Sequence, residues 1–565
     1  MKVPLTTQQV RLQERHVFLA LTILVGVLAG LSAVLFSVAI DRATRMFFGL
    51  DPSAVRLVLV PVGVSLITGW LLVRVFPGVR GSGVPQTEAA FHLHGGVIPG
   101  RVPIGKFLTG VLCIGSGHSM GREGPSVQIG AGLASVIGRW VGLSPARVKE
   151  LVPVGAAGAL AAAFNTPVAA VLFALEEIIG DMNASLLGST VVASVASVVV
   201  ERSILGNEPL FRVPTYHLEH PAELLAYAAL GVIGGIVSLL FCKALLGTRA
   251  LFMKLPVASR MFQPAMGSLV IGAVLVVVPQ VMGVGYEYVD QALNGGMVLK
   301  TMALLCALKL VATIVSYSSG NAGGIFAPSL YIGAMTGGAL GMIVHHVAPF
   351  PTADPGAYAL VGMGTLFAGI VRAPMTSVFM IFEITQDYQI LVPLMVANLL
   401  SFMISRRYQP VPVYHALLHQ ESIHLPAVVP RGAGTAWTAA EVMAPVPEFI
   451  AAETPLREIA AAADEPAVLL IGAAPRLLGV VTASLLAQAM ASGRGSDAVA
   501  SLIEPEIVHA HPDHLSEVVL ARLGETNGVL PIVSRNDAQH VVGVITIADV
   551  IRFLGRRKVT TGRSP

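Results

Sequence analysis

The chain has 565 residues, 54% of them hydrophobic and only 12% charged, with a mean hydropathy of +0.74. A soluble globular protein carries about 25% charged residues, so the composition excludes that class for most of the chain. A formal net charge of +3 is too small to point to a nucleic-acid partner.

The long apolar runs lie between about 16 and 405, and the residues after 420 have an ordinary soluble composition. The expected class is a polytopic membrane protein with a soluble C-terminal module. Residues 1–15 contain Lys2, Arg11 and Arg15, which favour a cytoplasmic N-terminal segment. The first apolar run is too long for a signal peptide and is expected to be retained. Cys113, Cys242 and Cys306 are odd in number and far apart, which suits buried small hydrophobes rather than disulfides.

In chain order, apolar spans are predicted over 17–48 and 55–76. Gly81-Ser82-Gly83-Val84-Pro85 then opens a segment ending near His92, too short to span and read as a half helix. Spans over 104–120 and 123–141 follow, then 152–164 and 167–179, split at Asn165-Thr166-Pro167, and 185–204. A polar loop over 206–223 with Pro209, Pro214 and Pro221 divides the chain. The second half predicts 224–246, 262–281, a short 286–293, 298–317, a break at 318–324, then 325–347, 358–371, 374–385 and 390–405.

The halves match by motif. Gly81-Ser82-Gly83 and Gly283-Val284-Gly285 are 202 apart, Gly121 to Pro125 and Gly324 to Pro328 are 203 apart, and Pro167 to Glu176 and Pro374 to Glu383 are 207 apart. Three matches at nearly one offset indicate a duplicated transporter with discontinuous helices and a midplane site where helix ends meet. The letters alone leave open whether the repeat is parallel or inverted.

Chemistry concentrates at the breaks. Gly121-Arg122-Glu123-Gly124-Pro125 puts an ionisable pair inside an apolar stretch, where a charge costs roughly 2.5–3.5 kcal/mol on insertion scales. Glu123 falls at a helix start, where unpaired backbone N–H groups and the helix dipole favour an anion. Helix starts at Ser82, Glu123 and Ile325-Phe326 offer donors without the oxygen ligands a cation needs. Such a set suits a mobile monovalent anion. The Glu123 carboxylate could stand in the anion's place and leave on protonation; the structural alternative is an ion pair with Arg122 fixing the helix end, the reading preferred for Arg122 itself. Glu176 and Glu177, taken alone, read as a helix end meeting water, and Tyr414 as an interfacial aromatic. His92, His94, His118, His345 and His346 show no metal spacing, and His118 is expected close enough to Glu123 to influence its titration. No zinc-protease, nucleophile-elbow or P-loop motif argues for an enzyme.

GSGVP, GREGP and GGIFAP in this order, with the later Tyr414, closely resemble the CLC family of chloride channels and proton/chloride antiporters over about residues 15–420. The resemblance implies an all-α polytopic fold with an inverted internal repeat (halves about 16–205 and 222–405, then a short helix), in a transmembrane domain over 16–420. It implies a homodimer with one anion pathway per subunit. Ser82 and Tyr414 would supply hydroxyls to the chloride, and the backbone of Ile325 and Phe326 would line the same site. Glu123 would be the external gate and Glu177 the internal proton-transfer residue, which reverses the helix-end reading of Glu177. Serine at 82 points to chloride rather than nitrate or fluoride. The resulting expectation is proton-coupled chloride antiport in the cell (inner) membrane. The alternative is a passive voltage- or pH-gated chloride channel of the same fold, and a nucleotide-sensing receptor with a membrane anchor is a third reading.

After a linker over 421–440 the tail repeats one small α/β unit over 441–495 and 496–560: Pro445 and Pro505 are 60 apart, Gly479 and Gly543 are 64 apart. It resembles a tandem CBS pair, expected on the cytoplasmic side. Such pairs can bind an adenine nucleotide. The ribose-holding threonine and acid are present as Thr546 and Asp549, whereas Thr482 is followed by Leu485 where the acid belongs, so one nucleotide site at most is expected. No cofactor is expected to be required for transport.

Overall fold

The computed structural model describes residues 7–49, 51–180, 184–207, 210–211, 213, 216, 218–423, 425, 437–447, 449–462, 468–473, 476–503, 507–526, 529–535 and 537–561. The chain divides into two compact units, through residue 428 and from 429 onward. Most of the expected linker falls outside the described residues.

The N-terminal unit is helical. Its first half holds α1 (Thr7–Phe48), α2 (Ala54–Trp70), α3 (Val84–His92), α4 (Arg101–Gly115), α5 (Glu123–Trp140), α6 (Pro145–Phe164), α7 (Pro167–Phe173) and α8 (Ala184–Leu205). The second half holds α9 (Glu223–Met253), α10 (Gln263–Val277), α11 (Tyr286–Leu293), α12 (Leu299–Ser318), α13 (Phe326–Val347), α14 (Pro355–Ile370), α15 (Pro374–Thr385) and α16 (Leu391–Tyr408), and α17 (Val413–Gln420) follows. Six helices among the described residues are long and apolar enough to cross a membrane, including α1, α9 and α13. The halves thus run through the same eight helices in the same order, with a short broken one at the third position of each.

Contacts repeat at the sequence offset. Gly130 of α5 lies against the carbonyl of Gly155 of α6, and Gly333 of α13 against that of Gly362 of α14, so neither position admits a Cβ. Small residues allow such close helix contact in a bilayer. Glu176 accepts from the N–H groups of Met375 and Thr376 at 3.1 and 2.8 Å, and from the Thr376 hydroxyl at 2.7 Å, at the start of α15. Reciprocally, Glu383 accepts from the N–H groups of Val168 and Ala169 at 2.9 and 2.8 Å at the start of α7. Each half caps a helix of the other, the self-complementary exchange of a two-fold relation.

The helices outrun the apolar runs. α6 begins at Pro145 rather than 152, and α9 continues to Met253 rather than 246. Hydropathy marks the hydrocarbon-facing stretch, while backbone hydrogen bonding carries a helix on through polar turns.

In the C-terminal unit, β1 (Phe449–Ile450), β2 (Val468–Ala473), β3 (Arg476–Thr482), β4 (Val529–Ser534) and β5 (Asp537–Thr546) lie in the order β1-β2-β3-β5-β4. Among the described residues, four helices of seven residues or more accompany them: α18 (Leu456–Ala462), α19 (Ala483–Ala491), α20 (Ser516–Glu525) and α21 (Ile547–Thr561). Each copy contributes a helix, an antiparallel pair and a second helix, with its own apolar core. Trp437, Ala439 and Val442 complete the core of the second copy, although they precede the first.

Candidate functional site

The site is built from loops stitched to one another ahead of three helices. Gly81 N donates to Asn321 O, and Gly323 N to Gly81 O, both at 3.1 Å; Gly121 and Gly324 exchange both backbone hydrogen bonds at 2.8 Å. The starts of α3 and α5 are thereby fixed against the start of α13. Gly83, at the head of α3, has φ 106° and a Cβ there would stand 2.8 Å from Gly124 O, so only glycine fits. A Cβ on Gly124 would stand 2.5 Å from Ser82 Oγ and 3.4 Å from Gly324 Cα, a measure of how closely the three starts converge.

Beneath these loops lie two buried lysines. Lys106 Nζ donates to Val79 O at 3.0 Å and to Gly81 O at 2.6 Å, and Lys309 Nζ to Val281 O at 3.1 Å and Gly283 O at 2.7 Å. They satisfy carbonyls that the broken helices leave open. They are 203 apart, the repeat offset, which is the signal that could have revealed them in the sequence.

Ser82, Glu123, Ile325, Phe326 and Tyr414 are all buried. The structure brings them together around this junction. The hydroxyls of Ser82 and Tyr414 approach each other, yet neither completes a hydrogen bond within the protein. A buried donor left without an acceptor costs about 1–3 kcal/mol, so the pair is chemically suited to an anion. Glu123 Oε1 accepts from Tyr286 Oη at 2.5 Å. The carboxylate also lies toward the N–H groups of Glu123 and Ala327, and its Oε2 completes no hydrogen bond. Ala327 is in the first turn of α13, so the carboxylate stands at a helix N-terminus. Phe326 packs on Phe164, Phe173 and Phe367, which keep this surface apolar.

Arg122 points elsewhere. It donates to Ser37 Oγ and lies over the Tyr286 ring, 5.6 Å from its centroid. The expected link between His118 and Glu123 is not what the structure contains. His118 Nδ1 lies 2.9 Å from Cys113 O, while Nε2 lies 2.8 Å from Ser268 Oγ and 3.1 Å from Ser65 Oγ, joining α2 to α10. A histidine bonded at both nitrogens has a packing task between helices, which letter spacing could not reveal.

Glu177 is buried in a π-helical turn, Ala174–Ile179, and its Oε1 has no hydrogen-bond partner. The extra residue in such a turn rotates the helix face, so adjacent glutamates diverge: Glu176 caps α15 while Glu177 turns inward. Tyr414 lies within electrostatic reach of both Glu177 and Glu123. Sequence reasoning missed Tyr286 and Glu88, whose partners lie 163 and 327 residues away.

In the C-terminal unit, Thr546 Oγ1 donates to Asp549 Oδ2 at 2.6 Å, Thr546 N donates to the same oxygen at 3.0 Å, and Arg552 lies 3.5 Å from Oδ1. This pair is a cap at the start of α21. The side chain of Thr482 lies outside the described residues.

Residues 63–406 match the model of the voltage gated chloride channel family, and 499–556 match that of the CBS domain. The chain is 32% identical over 416 residues to an H(+)/Cl(-) exchange transporter, ClcA, of Vibrio campbellii (strain ATCC BAA-1116), covering 70% of this chain and 88% of the relative. A slow cyanobacterial Cl-/H+ antiporter superposes with a TM-score of 0.64 at 27% identity, covering 72% of this chain and 97% of that one. A eukaryotic CLC transporter shares the fold over 94% of this chain and 97% of its own, with a TM-score of 0.62 at 20% identity. The broken helices, the two-fold repeat and these likenesses agree: the chain is a multi-pass membrane protein, not an enzyme, and it belongs to the CLC family of voltage-gated chloride channels and transporters, with a CBS domain in its C-terminal unit.

Proposed function

We propose that this protein exchanges chloride for protons across the membrane, with Glu123 as the external gate and Glu177 as the internal proton-transfer residue. The observation that carries this reading is the Glu123 carboxylate at the N-terminus of α13, beside the Ala327 N–H, where an anion would be held. Chloride lodges among the Ser82 and Tyr414 hydroxyls and the N–H groups at Ile325 and Phe326. When Glu123 is protonated it no longer competes for those donors and swings aside, and chloride moves on. When it is ionised it closes the path. One group thereby links proton occupancy to anion passage. Glu177, buried and with a free oxygen, receives or supplies the proton at the other end, with Tyr414 within electrostatic reach of both.

The names of the Vibrio exchange transporter and the cyanobacterial antiporter support exchange over a passive channel. The assembly is a homodimer with one pathway per subunit, in the cell membrane, with both chain ends cytoplasmic. Cross-linking in liposomes at limiting reagent checks the dimer: a single subunit would contradict it. An adenine nucleotide bound by the second CBS copy would place its ribose hydroxyls on Asp549. A rise in the melting temperature with ATP that is lost in Asp549→Ala supports this; identical shifts for both proteins contradict it.

The functional test is reconstitution under an imposed chloride gradient. Exchange predicts that protons move uphill against their own gradient as chloride runs down. Chloride movement with passive protons would mean a channel.

A further inference from the structure

A second buried carboxylate lies beside Glu177. Glu88, on α3, is 1% exposed, and its Oε1 lies 2.8 Å from Nε2 of His415 on α17; its Oε2 has no hydrogen-bond partner. One turn along the same face, His92 bonds the carbonyl of Ile178 at 3.0 Å, which holds α3 against the π-helical turn that carries Glu177. Glu88, His415, Glu176 and Arg372 all lie within electrostatic reach of Glu177. The His415 side chain is 37% exposed, whereas Glu88 is sealed. An ionisable chain therefore runs from solvent-accessible His415 through buried Glu88 to buried Glu177.

We propose that His415 and Glu88 form the proton relay that connects water on the α17 face to Glu177. This rests on Glu177 being the internal proton-transfer residue. A proton taken up at His415 Nδ1 releases the Nε2 proton to Glu88 Oε1. The Glu88 carboxyl then turns and passes its proton to the free Oε1 of Glu177, and His415 returns to neutrality. One proton enters and one leaves, and the imidazole, left with its proton on Nδ1, turns its ring over before the next transfer. The charged or titratable groups facing this chain are His92 on α3, Lys149 on α6, Glu176 on the π-helical turn, Arg372 after α14 and Tyr414 on α17, whose hydroxyl is turned to Ser82. Glu176 is committed to capping α15. Arg372 is held by the carbonyls of Ser405, Gln409 and Pro410. His92 is occupied by Ile178, so neither these groups nor Lys149, a cation over the Phe91 ring, offers a competing acceptor route.

The test uses the full chain in liposomes, measuring chloride efflux and chloride-driven proton uptake for Glu88→Gln, His415→Gln and Glu177→Gln. The expected result is a fall in proton uptake of about tenfold or more in Glu88→Gln and His415→Gln, with chloride efflux retained. Free imidazole on the α17 side is expected to restore proton uptake to His415→Gln and not to Glu88→Gln, a rescue that a packing role would not produce. Wild-type proton uptake in His415→Gln and Glu88→Gln, with loss in Glu177→Gln, overturns the relay and leaves Glu177 in its role. Wild-type uptake in Glu177→Gln overturns the reading of Glu177 and the relay with it.

Discussion

Gly124→Ala is the smallest change that reaches the convergence of helix starts. Gly124 is in the first turn of α5 with ordinary helical backbone, so alanine by itself favours the helix by roughly 0.5–1 kcal/mol. The new Cβ, however, would stand 2.5 Å from Ser82 Oγ, 2.9 Å from Ser82 O and 3.4 Å from Gly324 Cα. The Ser82 oxygens must retreat, and one of them belongs to backbone fixed by the Gly81 bridges. Overpacking of this kind costs about 1–3 kcal/mol. Taken from the anion-bound arrangement, that is a loss of roughly 5- to 150-fold in turnover at about 1.4 kcal/mol per decade. Gly138→Ala on the same helix is the control, since its Cβ would meet the side-chain ends of Leu151, Val148 and Leu143 at 3.1, 3.4 and 3.6 Å. Chloride efflux from liposomes and melting in detergent read the two effects separately. Gly124→Ala is expected to lower its melting temperature only modestly, the helix gain offsetting part of the strain, and to lose most of its efflux, with Gly138→Ala near wild type. Wild-type efflux in Gly124→Ala would refute the assignment of Ser82 to the anion path.

Glu176→Ala removes the cap of α15 and is expected to lower stability by about 2–3 kcal/mol, since each hydrogen bond to a charged group is worth about 1.5–3 kcal/mol. Glu383→Ala should cost a similar amount; a large disparity between the two denaturation midpoints would contradict the two-fold equivalence of the caps. Tyr286→Phe removes the hydroxyl that holds Glu123 Oε1, so the gate is freed and chloride efflux rises by up to about tenfold; slower efflux would mean that the hydroxyl helps passage instead. In the C-terminal unit, the hydrogen bond from Arg535 holds the Asp513 carboxyl below its usual range, and burial holds His514 below its own. Asp513 thus stabilises the fold above its unfolded value and loses that contribution as pH falls. His514 must gain a proton at a cost as pH falls below about 6.5. Both effects lower the melting temperature on acidification: His514→Gln should flatten the profile as pH falls below about 6.5, and Asp513→Asn should flatten it only below about pH 4; an unchanged slope in either window would contradict this.

The membrane unit was largely legible because glycine and proline mark breaks that hydropathy alone would miss, and because duplication writes each break twice. Ser82, Glu123 and Ile325-Phe326 announce themselves as helix starts. What was not legible depends on rotation about helix axes and on distant pairing. The sequence presents Glu176 and Glu177 as equivalent, and only the π-helical turn separates a cap from an inward carboxylate. His118 stands five residues before Glu123, yet its side chain serves Ser65 and Ser268. His415 and Glu88 meet across 327 residues with no motif to join them. Lys106 and Lys309 were hidden as isolated cations in apolar runs, although the repeat offset pairs them. In the tail, Trp437 belongs to the core of the second copy, an exchange of chain order that composition does not encode.

The most direct test of the account is chloride-driven proton movement in liposomes carrying Glu123→Gln beside wild type. An amide at this position can neither carry a proton nor compete as an anion for the Ala327 N–H. Wild type is expected to drive protons uphill, while Glu123→Gln passes chloride with no proton movement. Uphill proton movement in Glu123→Gln would contradict the central claim that this carboxylate is both gate and proton carrier.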